Sequence, residues 1–163
     1  MIRILLCLSI LTGPVVLSGC GGSGEPVVWV TGKLLKGGAK YEPPADQQVT
    51  MMFVAMEIEN AEGKVVPSTE PYLAHYDGAN GTFKVPGKDG SGIPPGKYRV
   101  AITLKLKREA LNATKPIQKA VDRERDYLDN KFGVTTSPIV RQIKSSTDLT
   151  LDLDKPTEGG PPS

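Results

Sequence analysis

Lys97-Tyr98-Arg99-Val100-Ala101-Ile102-Thr103-Leu104-Lys105-Leu106-Lys107 is the stretch whose reading decides the fold class. Tyr98, Val100, Ile102, Leu104 and Leu106 fall on one face; Lys97, Arg99, Thr103, Lys105 and Lys107 fall on the other. Strict alternation over such a length marks a strand with one buried and one wet face, as in an antiparallel sheet. Leu149, Leu151 and Leu153 alternate with Thr150, Asp152 and Asp154 in the same way. Residues 48–58 are apolar on both faces, with Val49, Met51 and Phe53 on one and Met52, Val54 and Met56 on the other, which predicts a central strand. Residues 27–35, 72–76, 82–85 and 139–144 bring the expectation to about seven strands. The 18 glycines and 14 prolines fall between these short apolar runs, so frequent turns are expected rather than a helical bundle.

One segment departs from period two. Between Lys115 and Phe132 the apolar residues Ile117, Ala120, Val121, Tyr127, Leu128 and Phe132 follow helical spacing. Thr114 is placed to cap the start, Pro116 suits a first turn, and Gly133 is placed to end it. The spacing predicts an inserted amphipathic helix over 115–132, of about four turns, packed on the sheet by that stripe. Asp122, Arg123, Glu124, Arg125, Asp126 and Asp129 would form its solvated face.

The first 20 residues read differently from the rest. Met1-Ile2-Arg3 precedes an apolar run to Val16, and Leu17-Ser18-Gly19-Cys20 follows. One positive charge, a short hydrophobic stretch and small residues before a cut are the layout of an export signal. The ending is similar to the lipobox of bacterial lipoproteins. That resemblance implies cleavage after residue 19, with Cys20 as the mature N-terminus carrying a thioether-linked diacylglycerol and usually a third acyl chain. The expected layout is a leader at 1–19, a lipid-anchored tether at 20–26, a domain at 27–154 and a disordered tail at 155–163. Gly21 stands where an inner-membrane retention Asp would, which leans the expectation toward the outer membrane of the cell envelope.

Charge and cysteine usage narrow the classes. The chain has 20 basic and 18 acidic side chains, and the leader carries only Arg3. That near-neutral balance argues against a nucleic-acid partner and against a polybasic membrane patch. The two cysteines are Cys7, within the leader, and Cys20, so no disulfide framework or thiolate metal site is available to the domain. It must hold itself together by its apolar core.

Three motifs line up along the domain: Val30-Thr31-Gly32-Lys33-Leu34, then Asp77-Gly78-Ala79-Asn80-Gly81-Thr82-Phe83-Lys84-Val85, then Ile93-Pro94-Pro95-Gly96-Lys97-Tyr98-Arg99-Val100. Their order resembles the carboxypeptidase regulatory-like domains, and most of all the small lipoproteins of this type in planctomycete-like bacteria. The resemblance implies a single antiparallel, transthyretin-like β-sandwich. It covers residues 28–106 well and 137–154 loosely, and the predicted helix departs from it. Apart from the resemblance, Asn80-Gly81 predicts a tight hairpin turn, since both residues accept positive φ, and Pro94-Pro95-Gly96 a rigid strand entry.

No pattern for catalysis emerges. His75 is the only histidine, and neither a Gly-x-Ser-x-Gly elbow nor a Ser-x-x-Lys occurs. The histidine set and C-terminal Tyr-Arg-Gly-Ser of transthyretin-like hydrolases are missing, and the 92–97 glycine loop is too short and proline-rich to cradle phosphate. Asp77, Asn80 and Asp89 are candidate oxygen ligands for calcium, against the plainer reading of a turn. The basic row Lys97, Arg99, Lys105 and Lys107 reads as an outer strand face, set opposite Asp152 and Asp154. The sequence therefore predicts a non-catalytic, lipid-anchored envelope module without a cofactor, binding a protein or polysaccharide partner. The alternative is a small envelope hydrolase or metal-dependent carbohydrate-processing domain.

Overall fold

A computed structural model describes residues 26–109, 122–123 and 125–158. The readings of residues 1–25, 110–121, 124 and 159–163 therefore lie outside the described residues. Nine strands follow in chain order: β1 Val30–Lys36, β2 Ala39–Lys40, β3 Gln47–Glu59, β4 Val65–Pro67, β5 Pro71–Asp77, β6 Thr82–Val85, β7 Gly96–Leu106, β8 Val140–Ile143 and β9 Thr147–Asp152. The chain is mainly β, as its periodicity predicts. Its strands form one curled sheet, a half-barrel, ordered β9-β1-β6-β5-β3-β7-β8, with β2 paired to β1 and β4 to β3. All pairs are antiparallel except β1–β9, which is parallel. The two additional short strands, β2 and β4, are hairpin returns too brief to leave a pattern in sequence.

The longest ladder joins β3 to β7, from Gln47↔Leu106 to Ile58↔Gly96. Register slips between Ala55 and Glu57, where a bulge forms. Gly96 lies across that bulge, and a Cβ there would come within 2.2 Å of the Glu57 carbonyl oxygen. Two residues on, the buried Tyr98 hydroxyl donates to the Pro94 carbonyl at 2.6 Å. The Pro-Pro-Gly-Lys-Tyr run is thus a shape device, as read from sequence.

Strand β5 produces the curl. Residues 71–74 pair with β3, and His75, Tyr76 and Asp77 pair with β6. One core fills the concave side, with Val30, Leu34, Phe83, Val85, Leu149 and Leu151 from one half and Met51, Phe53, Tyr98, Val100 and Ile102 from the other. An aromatic chain crosses between them. Ring centroids lie 5.9 Å apart for Phe53–Phe83, 6.4 Å for Phe53–Tyr98 and 6.0 Å for Tyr72–Tyr98. Such tilted and edge-on pairs add about 0.5–1.5 kcal/mol each beyond area burial.

Residues 125–132 correct the end of the predicted helix, of which 115–121 and 124 lie outside the described residues and Asp122 and Arg123 are helical. Residues 125–132 form turns, and Asp129 and Asn130 take φ of 53° and 55°, which a right-handed helix excludes. The Asp126 carboxylate organises them, accepting from the amides of Leu104, Leu128 and Asn130 at 2.9–3.1 Å. Asp122 and Asp126 are buried rather than solvated, and Phe132 enters the core. The apolar spacing of Tyr127, Leu128 and Phe132 reports burial against the β7 edge, where Tyr127 N donates to Leu104 O and Ile102 N to Phe132 O. The β5–β6 connection is also corrected. Asp77↔Thr82 closes the pair, so residues 78–81 form the loop, and of Asn80 and Gly81 only Gly81 has positive φ (66°).

After β9 the chain turns back toward β8. Arg141, 2% exposed, donates from Nη2 to the carbonyls of Pro156 (3.2 Å) and Glu158 (2.6 Å) and from Nη1 to that of Val140 (2.9 Å). Residues 155–158, which the sequence places at the start of a tail, are held in turns by this contact. Burial lowers the Arg141 pKa from its ordinary value. Replacing Arg141 by Met should remove charge-assisted bonds of about 1.5–3 kcal/mol. Amide exchange at Lys155 and Glu158 is then expected to accelerate about tenfold or more while Val100 and Ile102 stay slow; unchanged Glu158 exchange would contradict the clasp.

Gly32 is a second close approach within the sheet. A Cβ there would lie 2.2 Å from the Leu149 carbonyl oxygen and 2.5 Å from Phe83 Cζ. Gly32→Ala is expected to cost about 3 kcal/mol, the upper end of overpacking penalties, in urea denaturation. A loss below about 0.5 kcal/mol would show that the strands part there without penalty.

Candidate functional site

The convex face of β9-β1-β6-β5 carries aligned polar side chains. Because Val30, Gly32 and Leu34 face the core, Thr31 and Lys33 must face out, and the same alternation turns Lys84, His75, Asp77, Asp148 and Thr150 outward. Register sets them in two rows. Asp148, Thr31, Lys84 and His75 form one across four strands, and Thr150, Lys33, Thr82 and Asp77 form the next. All but Thr150 border an open trough of about 490 Å³, floored by Gly32 and Phe83. All stand on paired strands, which fix their spacing better than loops would.

The charges in the trough differ in how far they are engaged. Asp148 accepts from the Thr31 hydroxyl at 3.1 Å. Asp77 turns to its own loop, accepting from Ala79 N (3.0 Å), Asn80 N (3.4 Å) and Asn80 Nδ2 (2.7 Å). The Asn80 side-chain amide, followed by these backbone amides, holds the Asp77 carboxyl below its ordinary value. Among the described residues, neither Lys33 nor Lys84 has an ion-pair partner. The trough is therefore suited to hold a ligand by charge and hydrogen bonds on a rigid surface. His75 is exposed on β5, and no carboxylate among the described residues is hydrogen-bonded to it.

The candidate calcium residues are only partly brought together. Asp77 and Asn80 meet, but as acceptor and donor in a loop cap. Asp89 lies in the connection after β6, at the opposite end of that strand. No group of three or more metal-ligating side chains occurs among the described residues. The basic row on β7 is not opposite Asp152 and Asp154, because β7 pairs with β3 and β8. Arg99 and Lys107 instead donate to the carbonyls of Val134 (3.5 Å) and Ala45 (2.7 Å). Asp152 caps the β1–β2 turn, accepting from Gly37 N (3.1 Å) and Gly38 N (2.8 Å). At the rim of the core, the Tyr76 hydroxyl donates to the Tyr41 carbonyl, and burial pushes it up to about 12.

Sequence reasoning did not single out Lys33, Lys84 or Asp148. Each occupies an outward position in an alternating strand, so its facing was legible; its neighbours were not, because they depend on the parallel β1–β9 pairing. Comparisons with protein-family models, with curated proteins and with solved structures give no match.

Asp77 and Asp152 give the fold an acid sensitivity of defined sign. Backbone amides, that of Asp154 first, hold the Asp152 carboxyl low as well. Carboxylates depressed in the folded state stabilise above the unfolded value, about 3.9, and that contribution is lost as pH falls through the folded values. The urea midpoint should stay level from neutral pH to about 5 and decline below about 4. The Asp77→Asn/Asp152→Asn double variant should show a shallower decline, and an identical one would contradict this assignment.

Proposed function

We propose that the protein is a non-catalytic, lipid-anchored module of the bacterial cell envelope, presenting the trough on β9-β1-β6-β5 to a protein or polysaccharide partner. The observation that carries this is the pair of polar rows on four adjoining strands, with two cationic side chains that have no ion-pair partner among the described residues. Such a surface recognises by charge complementarity and hydrogen bonding. The Leu17-Ser18-Gly19-Cys20 signature supports the anchor. A diacylglycerol supplies two chains, enough for stable attachment where one would be marginal. The three motifs and the shared core support a finer reading of the curled sheet as a transthyretin-like sandwich, related to the carboxypeptidase regulatory-like lipoproteins. The outer membrane is its proposed site.

Two variants test the parts separately. Cys20→Ser should lose its acyl groups by mass spectrometry and accumulate as uncleaved or soluble precursor; normal processing and membrane retention would contradict the anchor. Lys33→Glu/Lys84→Glu should stay acylated and membrane-bound, while its cross-linking to envelope material falls about tenfold or more. Unaltered cross-linking would contradict the trough as the binding surface.

A further inference from the structure

Beyond the polar rows, the same convex face ends in an apolar row. Trp29, one residue before the Val30↔Val85 pair, and Leu73, two residues before His75↔Lys84 and opposite Met52, both lie at the Val85 end of this face. Val27 shares the outward side with Trp29, because Val28 between them is buried. Among the described residues five large apolar side chains are exposed, and three belong to this row: Val27 (46%), Trp29 (52%) and Leu73 (54%). Clustering of that kind on one edge marks a contact surface rather than scattered exposure.

The row is held in place rather than frayed. Val28 exchanges two backbone hydrogen bonds with Ile93, at 2.8 and 3.0 Å. Trp29 N donates to the Ser146 hydroxyl at 3.0 Å, and its carbonyl accepts from Thr147 N at 2.9 Å. Leu73 sits in β5 with its backbone paired to β3. An indole displayed on fixed backbone suits a boundary that is apolar on one side and wet on the other.

Chain length identifies that boundary. Five residues, Gly21 to Glu25, separate Cys20 from Pro26, where the described domain begins. Even fully extended, the step from Cys20 to Pro26 spans only about 20 Å. If Cys20 carries diacylglycerol, as the proposed function holds, this end of the domain cannot leave the membrane surface. We propose that Val27, Trp29 and Leu73 form a second membrane contact, seated at the level of the lipid headgroups. Trp is favoured at that depth. The contact fixes the orientation of the domain: β1 rises from the bilayer, and the trough opens along the membrane surface instead of tumbling on its tether.

Trp29 is the chain's single tryptophan, so its emission reports this position alone. The full-length acylated protein is reconstituted into phosphatidylcholine vesicles, with acylation verified by mass spectrometry and attachment by flotation. The contact predicts a blue-shifted emission, quenched by lipids brominated near the headgroup and shielded from aqueous iodide. Leu73→Asp, at an exposed position, should stay acylated and floating while the blue shift is lost. An acylated, floating protein whose Trp29 emits as in water and is quenched by iodide would overturn the contact and leave the anchor standing. A blue shift that survives Leu73→Asp would overturn the row as its cause. Protein that is neither acylated nor floating would overturn the anchor, and this contact with it.

Discussion

The absence of a side chain at Gly32 is the constraint on which the rest depends. It lets Phe83 lie across β1 while the Leu149 carbonyl approaches from β9, so three strands close to a spacing that a Cβ would forbid. Phe83 then reaches Phe53, and Phe53 reaches Tyr98, which joins the β1 half of the curled sheet to the β3–β7 half. β9 adds to β1 in parallel from Val30↔Thr147 to Leu35↔Asp152, which sets Asp148 beside Thr31 in the row that continues to Lys84 and His75.

The convex face is thus a by-product of the core. Each inward residue of β1, β5, β6 and β9 fixes an outward one, and packing sets the row spacing to that of neighbouring strands. The two kinds of row follow from position along β1. Near the domain entry the outward residues are apolar, Val27 and Trp29; further along they become Thr31 and Lys33. An apolar edge and a polar trough are then successive parts of one surface.

Much of this was legible from residue order. The alternation at Lys97–Lys107 and the two-faced apolar run at 48–58 mark the central pair, and Gly32, Gly96 and Tyr98 all stand within the three motifs. What misled was spacing without context. Tyr127, Leu128 and Phe132 have helical intervals, yet Asp126 draws amides into turns that bury them against the β7 edge. Asn80-Gly81 has the composition of a two-residue hairpin, but Asp77 caps a longer loop. Arg141 stands within the short strand expected at 139–144, and only the returning chain end shows why it is buried. In each case a side chain binds backbone that is distant or beyond the local period, which no windowed pattern records.

The most direct measurement of the working surface is hydroxyl-radical footprinting of the protein in intact envelopes, compared with the purified protein. Protection of Trp29, Leu73 and His75, with the exposed Val65 and Val134 still fully reactive, is the predicted result. Unprotected Trp29, Leu73 and His75 beside a protected Val65 or Val134 would place the working surface elsewhere and contradict the account.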